Sequence, residues 1–501
     1  MESKVSRRLT QPTAAEVCEH IYLPRLMREF GSGFRYLTDI NQAHLLMLHG
    51  SALIPADVAA VLAQALLRIE TEGAQAVALD PAREDAYFNY EAHLMQIAGA
   101  DAGGRLHVAR SRNDILATHD RLRARDLALD LLEAMLAVRT VALDKAEAYA
   151  DVVMPGYTHL QAAQPITYGY YLAGVAEALG RDITRMQHAL AALDACPLGA
   201  GALAGTAFAI DREATARWLG FSTFAPNSLD AVASRDFAWE MLSAITIGAV
   251  SWGRVAQDLY IWATPEFGLI DFPDSVAGTS SIMPQKKNPV VLEYLKGKGG
   301  HMLGLLTGAL AALKGSHFTH SGDGNRESMR GFWEAGDECL RCLSLLRLVI
   351  DTATPQQTGM LTRASRDFST ATDLADALVR DAAMSFRQAH HVVGAVVRDA
   401  LDQHLPASEI SAAMVDEAAM RVAGRPAGLD AAAVARCLDP RQGVAARMAA
   451  GGPAPALVRA NVTAQRAATT QAQQARDATC ARLDTARDAL KRSLGHLASL
   501  H

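Results

Sequence analysis

Three short polar segments hold most of the groups that could do chemistry. The first is His107-Val108-Ala109-Arg110-Ser111-Arg112-Asn113-Asp114. The second is Met154-Pro155-Gly156-Tyr157-Thr158-His159-Leu160-Gln161. The third, Ser280-Ser281-Ile282-Met283-Pro284-Gln285-Lys286-Lys287-Asn288-Pro289, is followed by Glu293. Arg112 can grip a carboxylate in a two-pronged fork, with Asn113 beside it. Thr158 adds a neutral donor. Lys287 and Asn288 offer a point charge and an amide close to two hydroxyls, and His159 can move a proton near neutral pH. None of the segments has metal-ligand spacing such as HExxH or paired CxxC. The sum is an anion site with proton-transfer groups, and the expectation is no metal and no cofactor.

Such a site suits elimination beside a carboxylate. Removing the proton next to a carboxylate builds an aci-carboxylate, whose extra charge must be met by fixed donors as it forms. A base must lie within hydrogen-bond reach of that proton. A serine in a Gly-rich loop could serve if a nearby lysine and backbone N–H groups stabilised its alkoxide. Taken singly, each segment also has a structural reading: a serine pair in a turn, an Arg-Asn-Asp helix start, a packed histidine.

The elements that must position these groups are helical. Apolar residues recur at helical spacing over 122–150, 160–195, 225–262, 290–313, 328–352 and 369–401, and alternating stretches are rare. The fold class expected is all-α, with long helices in the middle of the chain. Rough boundaries near residues 112 and 360 divide it into 1–112, 113–360 and 361–501. Residues 278–284 read as a mobile loop within a loop segment 278–290, and 456–496 as a terminal helix. Gly199 to Gly205 has GxGxxxG spacing with no strand before it, so no nucleotide site is expected there. Cys339 and Cys342 read as two core positions of one helix. A net charge of −6 argues against nucleic acid as a partner. No membrane span, no secretory segment and few cysteines predict a cytoplasmic protein acting on a small molecule.

Together the three segments resemble the argininosuccinate lyase branch of the fumarase/aspartase superfamily. The 280–289 loop resembles the superfamily signature. The resemblance continues through 197–211, Asn227 to Asp230, Ser234-Arg235-Asp236 and 386–394, and covers most of 105–395. It implies three mostly helical domains whose central bundles assemble into a homotetramer with a twenty-helix core. Each active site would then be shared by three subunits. It also implies roles. Ser281 would be the base and Lys287 would stabilise the aci-carboxylate, with Asn288. Arg112, Asn113, Thr158 and Ser280 would bind carboxylates. His159 would pair with Glu293, as general acid or as an organiser. Met283 and Gln285 would shape the loop.

The chain also departs from that pattern. The family's opening Trp-Gly-Gly-Arg-Phe block is absent, and its Ser-x-Ala-His reads Asn41-Gln42-Ala43-His44. After Lys314-Gly315 the family's Leu-Pro-x-x-Tyr-Asn-x-Asp-x-Gln-Glu-Asp-Lys is replaced by Ser316-His317-Phe318-Thr319-His320-Ser321-Gly322-Asp323-Gly324-Asn325-Arg326-Glu327-Ser328. In the family this segment contacts the amine half of the substrate. The expectation is therefore that fumarate release is kept while the leaving amine differs, with His320, Asn325 and Arg326 facing it. Ethylenediamine-disuccinate lyase, which acts on an aminopolycarboxylic acid, is a relative of this kind. Argininosuccinate lyase itself, and an inactive crystallin-like relative, are the alternatives.

Overall fold

The computed structural model describes residues 8–366 and 368–500. The N-terminal part packs α1 (Leu23–Gly50), α2 (Ala56–Glu72) and α3 (Ala86–Ala98) around a core that includes Leu37, Ile40, Leu62, Leu66 and Tyr90. The middle is built from five long helices: α4 (Arg112–Ala148), α5 (Tyr168–Ala192), α6 (Asp236–Trp262), α7 (Val290–Leu313) and α8 (Gly322–Thr352). They pack α4 on α5, α5 on α6, α6 on α7, α7 on α8 and α8 back on α4, which closes a bundle. Leu131, Val138, Ala142, Ile245, Phe332 and Cys339 fill its centre. Short helices between Ala371 and Leu438 hold a third, separate core of Leu378, Val392, Val396 and Val415. The last helix, α9 (Pro455–Ala498), runs along α4 and α5 and ends in the N-terminal core through Leu490, Leu494 and Leu497.

The helices are specified locally. Ser111 and Asp114 form a capping box at the start of α4, which satisfies amides that a helix N-terminus otherwise leaves unpaired. Ser385 and Gln388 do the same at Phe386–Asp402. One expected helix is corrected. Residues 160–167 do not extend α5; Gln161–Thr167 is a strand, β2, paired antiparallel with β1 (Val153–Thr158). Its Ala and Gln residues favour a helix, but Pro155 and Pro165 face each other across the ladder. Proline removes the amide a helix interior needs and here sits in a short two-stranded ribbon. The expected helix over 369–401 is likewise two, Ala371–Arg380 and Phe386–Asp402. No helix among the described residues is long and apolar enough to cross a membrane.

One face of α7 is unusual. Nothing lies within 4 Å of where a Cβ would stand on Gly297, Gly300, Gly304 or Gly308. Leu303 and Leu310 beside them are about half exposed, at 52% and 47%.

Candidate active site

The first polar segment splits its attention between two sides. Asp114 Oδ1 accepts from the Ser111 amide at 2.8 Å, while Oδ2 accepts from the amides of Gly199 and Gly201, both at 2.9 Å. Burial pushes this carboxyl up to about 6, against those amide bonds. Gly199, Gly201 and Gly205 have φ of +91°, +61° and +71°, which only glycine adopts without strain. The glycine run is thus a wrap around the Asp114 carboxylate. Asn113 Nδ2 donates to the Ala202 carbonyl of the same wrap at 3.1 Å. Arg112 turns the other way. Its Nη1 donates to Glu84 and Asp85, each at 2.9 Å, and its guanidinium lies over the Phe88 ring at 4.2 Å. The Asn41 to His44 block sits beneath. Asn41 accepts from Arg110 at 2.7 Å, and His44 contacts the Val108 carbonyl at 2.9 Å.

Near Arg112 the start of α8 meets α1 and α4 around a cavity. His320, Asn325 and Arg326 line it, together with Arg25, Asp120 and Arg235. Asn325 and His320 are hydrogen-bonded at 3.3 Å. Burial, with the charges of Arg235 and Arg326, brings His320 down to about 4, so it faces the cavity as a neutral ring at pH 7. Arg235 is 1% exposed and is held by Asp120 at 2.9 Å. Burial pulls the Asp120 carboxyl up, but His119 and Arg235 outweigh it and hold it below the ordinary range. Counting all lining residues, the walls carry five arginines against two carboxylates.

Thr158 and His159 occupy the tip of the β1–β2 hairpin, exposed to solvent. The turn is the two residues His159 and Leu160, with φ of +54° and +58°. Such a turn normally takes Asn-Gly. A histidine and a leucine there carry backbone strain of about 1–3 kcal/mol each, a cost that clusters at functional sites.

The third segment forms an exposed loop closed by Gly278–Thr279 pairing with Lys287–Asn288. Ser280 Oγ accepts from the amides of Ile282 and Met283, at 3.4 and 3.1 Å, and so shapes the turn. Ser281, Met283 and Gln285 are exposed, Ile282 82% so. Asn288 Nδ2 donates to the Thr279 carbonyl at 3.2 Å. Lys287 Nζ pairs with Asp271 and Asp274, each at 3.3 Å, and also donates to the Phe272 carbonyl. Slight desolvation pulls its ammonium down, but Asp274 and Asp271 outweigh it and raise it. Glu293, on the first turn of α7, accepts from Tyr260 Oη at 3.3 Å.

Within one chain, then, His320, Asn325 and Arg326 come together in one cavity wall, with Arg112 near enough for its charge to act on His320. The hairpin tip with Thr158 and His159, and the loop with Ser280, Ser281, Met283, Gln285, Lys287 and Asn288, keep their own neighbours. Among the described residues no hydrogen bond or ion pair joins His159 to Glu293. Arg25, Glu29, Asp120 and Arg123 in the cavity wall escaped the sequence reading, because each is an ordinary charged residue of a long helix and belongs to no motif. Arg235 stood in a resembling block but with no role.

The family described as Lyase matches residues 34–304, and the one described as Argininosuccinate lyase C-terminal matches 368–445. The chain is 40% identical over 451 residues to argininosuccinate lyase 1 of Shouchella clausii, covering 90% of this chain and 91% of that one. It is 38% identical to the argininosuccinate lyase of Methanothermobacter thermautotrophicus, over 85% and 90% of the two chains. Among solved structures, an EDDS lyase variant with bound fumarate superposes with a TM-score of 0.87 at 30% identity, over 98% and 97% of the chains. Two family matches, close relatives over nearly the whole length and a shared fold lead to one conclusion: the chain is a carbon–nitrogen lyase belonging to the argininosuccinate lyase branch of the fumarase/aspartase superfamily.

Proposed function

We propose that this lyase cleaves an N-substituted aspartate whose amine half carries carboxylates, an aminopolycarboxylic acid such as ethylenediamine-N,N'-disuccinate, releasing fumarate. The observation that carries the reading is the cavity beside Arg112, where five arginines and a neutral His320 face two carboxylates already engaged in pairs. That field suits an anionic amine half and opposes a guanidinium.

In this reading Arg112, Asn113, Thr158 and Ser280 hold the succinyl carboxylates. Ser281 Oγ takes the proton from the carbon next to the carboxylate that becomes the aci-form. Lys287 leaves Asp271 and Asp274 to meet that charge, with Asn288 beside it. The electron pair then returns to form the double bond, the C–N bond breaks, and the leaving nitrogen is protonated. His159, paired with Glu293 of a neighbouring chain, supplies or relays that proton. The hairpin tip and the 280–289 loop each keep their own partners within one chain, and the bare glycine face of α7 supports a homotetramer in which three subunits complete each site.

A second reading, argininosuccinate lyase, is favoured by the 40% identity to a protein of that name. Fumarate release, followed by ultraviolet absorbance with both substrates, separates the two. Preferred turnover of the aminopolycarboxylate supports the first reading. Turnover of argininosuccinate alone, at ordinary rates, replaces it with the second.

A further inference from the structure

Two arginines in the cavity wall stand apart from the succinyl-binding segments. Arg25 lies on the first turn of α1 with its side chain 16% exposed. Its Nε is committed to Glu29 Oε2 at 2.9 Å, and Glu29 is shared with Arg28 at 3.3 Å. Its Nη1 is closed off from solvent and has no hydrogen-bond partner. A buried charged donor left without a partner is costly. Arg326, on the first turns of α8, lines the same cavity from the opposite element and is exposed. Among the described residues it makes no hydrogen bond or ion pair. The two guanidiniums are near enough that Arg25 depresses Arg326, after burial itself. Like charges brought together over an unpaired donor call for an anion between them.

We propose that Arg25 and Arg326 form a clamp for a carboxylate on the leaving amine, separate from the residues that hold the succinyl half. The inference rests on the proposed lyase reading, since it names the part of the substrate that this cavity takes. Arg326 at the mouth meets the carboxylate first, and Arg25 Nη1 receives it at depth. A planar guanidinium on each side matches the two oxygens of one carboxylate. Asn325 and neutral His320 then lie beside it as uncharged polar groups. The clamp would set which amine leaves and would take no part in proton removal.

Calorimetry on the full-length assembled protein tests the clamp without any need for turnover. The probe is N-(2-aminoethyl)glycine, which keeps the diamine and one carboxylate but has no succinyl group for the other residues to hold. Ethylenediamine, which has no carboxylate, and fumarate are the controls. Arg25→Met and Arg326→Met should each weaken the probe on the order of tenfold to a hundredfold, and Arg326→Lys should weaken it less. Fumarate binding should not change. An unchanged probe affinity, or no preference of the wild type for the probe over ethylenediamine, overturns the clamp. Equal losses for probe and fumarate would assign the arginines to the succinyl half and overturn it too. Two variants on different helices guard against one that fails to fold, which a melting curve would reveal. Failure of the broader reading registers separately, as absence of fumarate release from the wild-type enzyme.

Discussion

Arg235 donates from Nε to Asp120 Oδ2 at 2.9 Å, tying the N-terminus of α6 to the N-terminal part of α4 at the edge of the cavity. Its Nη1 is also spent, on the carbonyls of Val232 and Ser234 at 3.3 and 3.1 Å. The guanidinium is almost wholly buried, so its removal leaves the largely buried Asp120 carboxylate without its 2.9 Å partner. Arg235→Met should therefore destabilise the fold by roughly 3–5 kcal/mol. Urea unfolding reads the change. A loss below about 1 kcal/mol, the range of exposed pairs, would mean that water or His119 replaces the arginine.

Ser281 and Lys287 sit in an exposed loop, outside every core. Their replacement should cost function and leave stability alone. Ser281→Ala should abolish fumarate formation with the melting temperature unchanged. Lys287→Met should lower kcat by orders of magnitude, because the developing charge loses its partner. If KM rose while kcat held, Lys287 would be a binding group present equally in the ground state. Appreciable turnover by Ser281→Ala would remove that serine as the base.

What the sequence disclosed and what it hid follow from the same physics. The polar segments around Ser281 and His159 could be picked out because their residue types are contiguous, but the hairpin that carries His159 was not foreseen. Long helices were legible because apolar spacing at 3.6 residues survives in any context. The helix expected over 160–167 failed because local propensity was overridden by Pro165 and by pairing with β1. Of the cavity only one wall could be read, His320, Asn325 and Arg326, because they share one segment. Arg25, Asp120 and Arg326 are separated by hundreds of residues or lie on different helices, and only packing of α1, α4 and α8 brings them to one wall. The glycine run 199–205 wraps Asp114, a purpose that depends on a partner 85 residues away. Cys339 and Cys342 are fully buried, as expected of core positions.

Stability should respond to pH through histidines held neutral. Burial, with Arg235 and Arg326, brings His320 to about 4, and burial with Arg110 and Arg112 does the same to His107. The unfolded chain takes up a proton on each near 6.5, so below that pH the unfolded state binds more protons than the folded one. Their contribution is complete above 6.5 and is lost as pH falls toward 4. Asp39 and Asp114, raised by burial to about 6, act in the opposite sense over a similar range. The difference between proteins isolates the term. Unfolding free energy measured from pH 4 to 7 should rise less steeply for His320→Asn than for the wild type. Parallel curves would show that His320 protonates in the folded state as readily as in the unfolded one.

The glycine face of α7 decides whether sites are shared. Gly300, Gly304 and Gly308 recur every fourth residue, so they lie along one side of the helix, with Leu303 and Leu310 exposed next to them. Each glycine costs a helix interior about 0.8–1.0 kcal/mol relative to alanine. Nothing in the chain itself crowds these positions, so the chain's own packing does not require glycine there. A close-packed neighbouring helix would require it. Gly304→Glu puts a better helix former at a solvent-open position, so a single chain should fold at least as well. In an assembled bundle the same change buries a carboxylate against an apolar neighbour with no partner. Light scattering should then show a smaller species than wild type, circular dichroism should stay helical, and fumarate release should vanish with Ser281, Lys287 and His159 all intact. Activity retained by a dissociated chain would place a complete site within one subunit. An assembly of wild-type size would move the interface to another face.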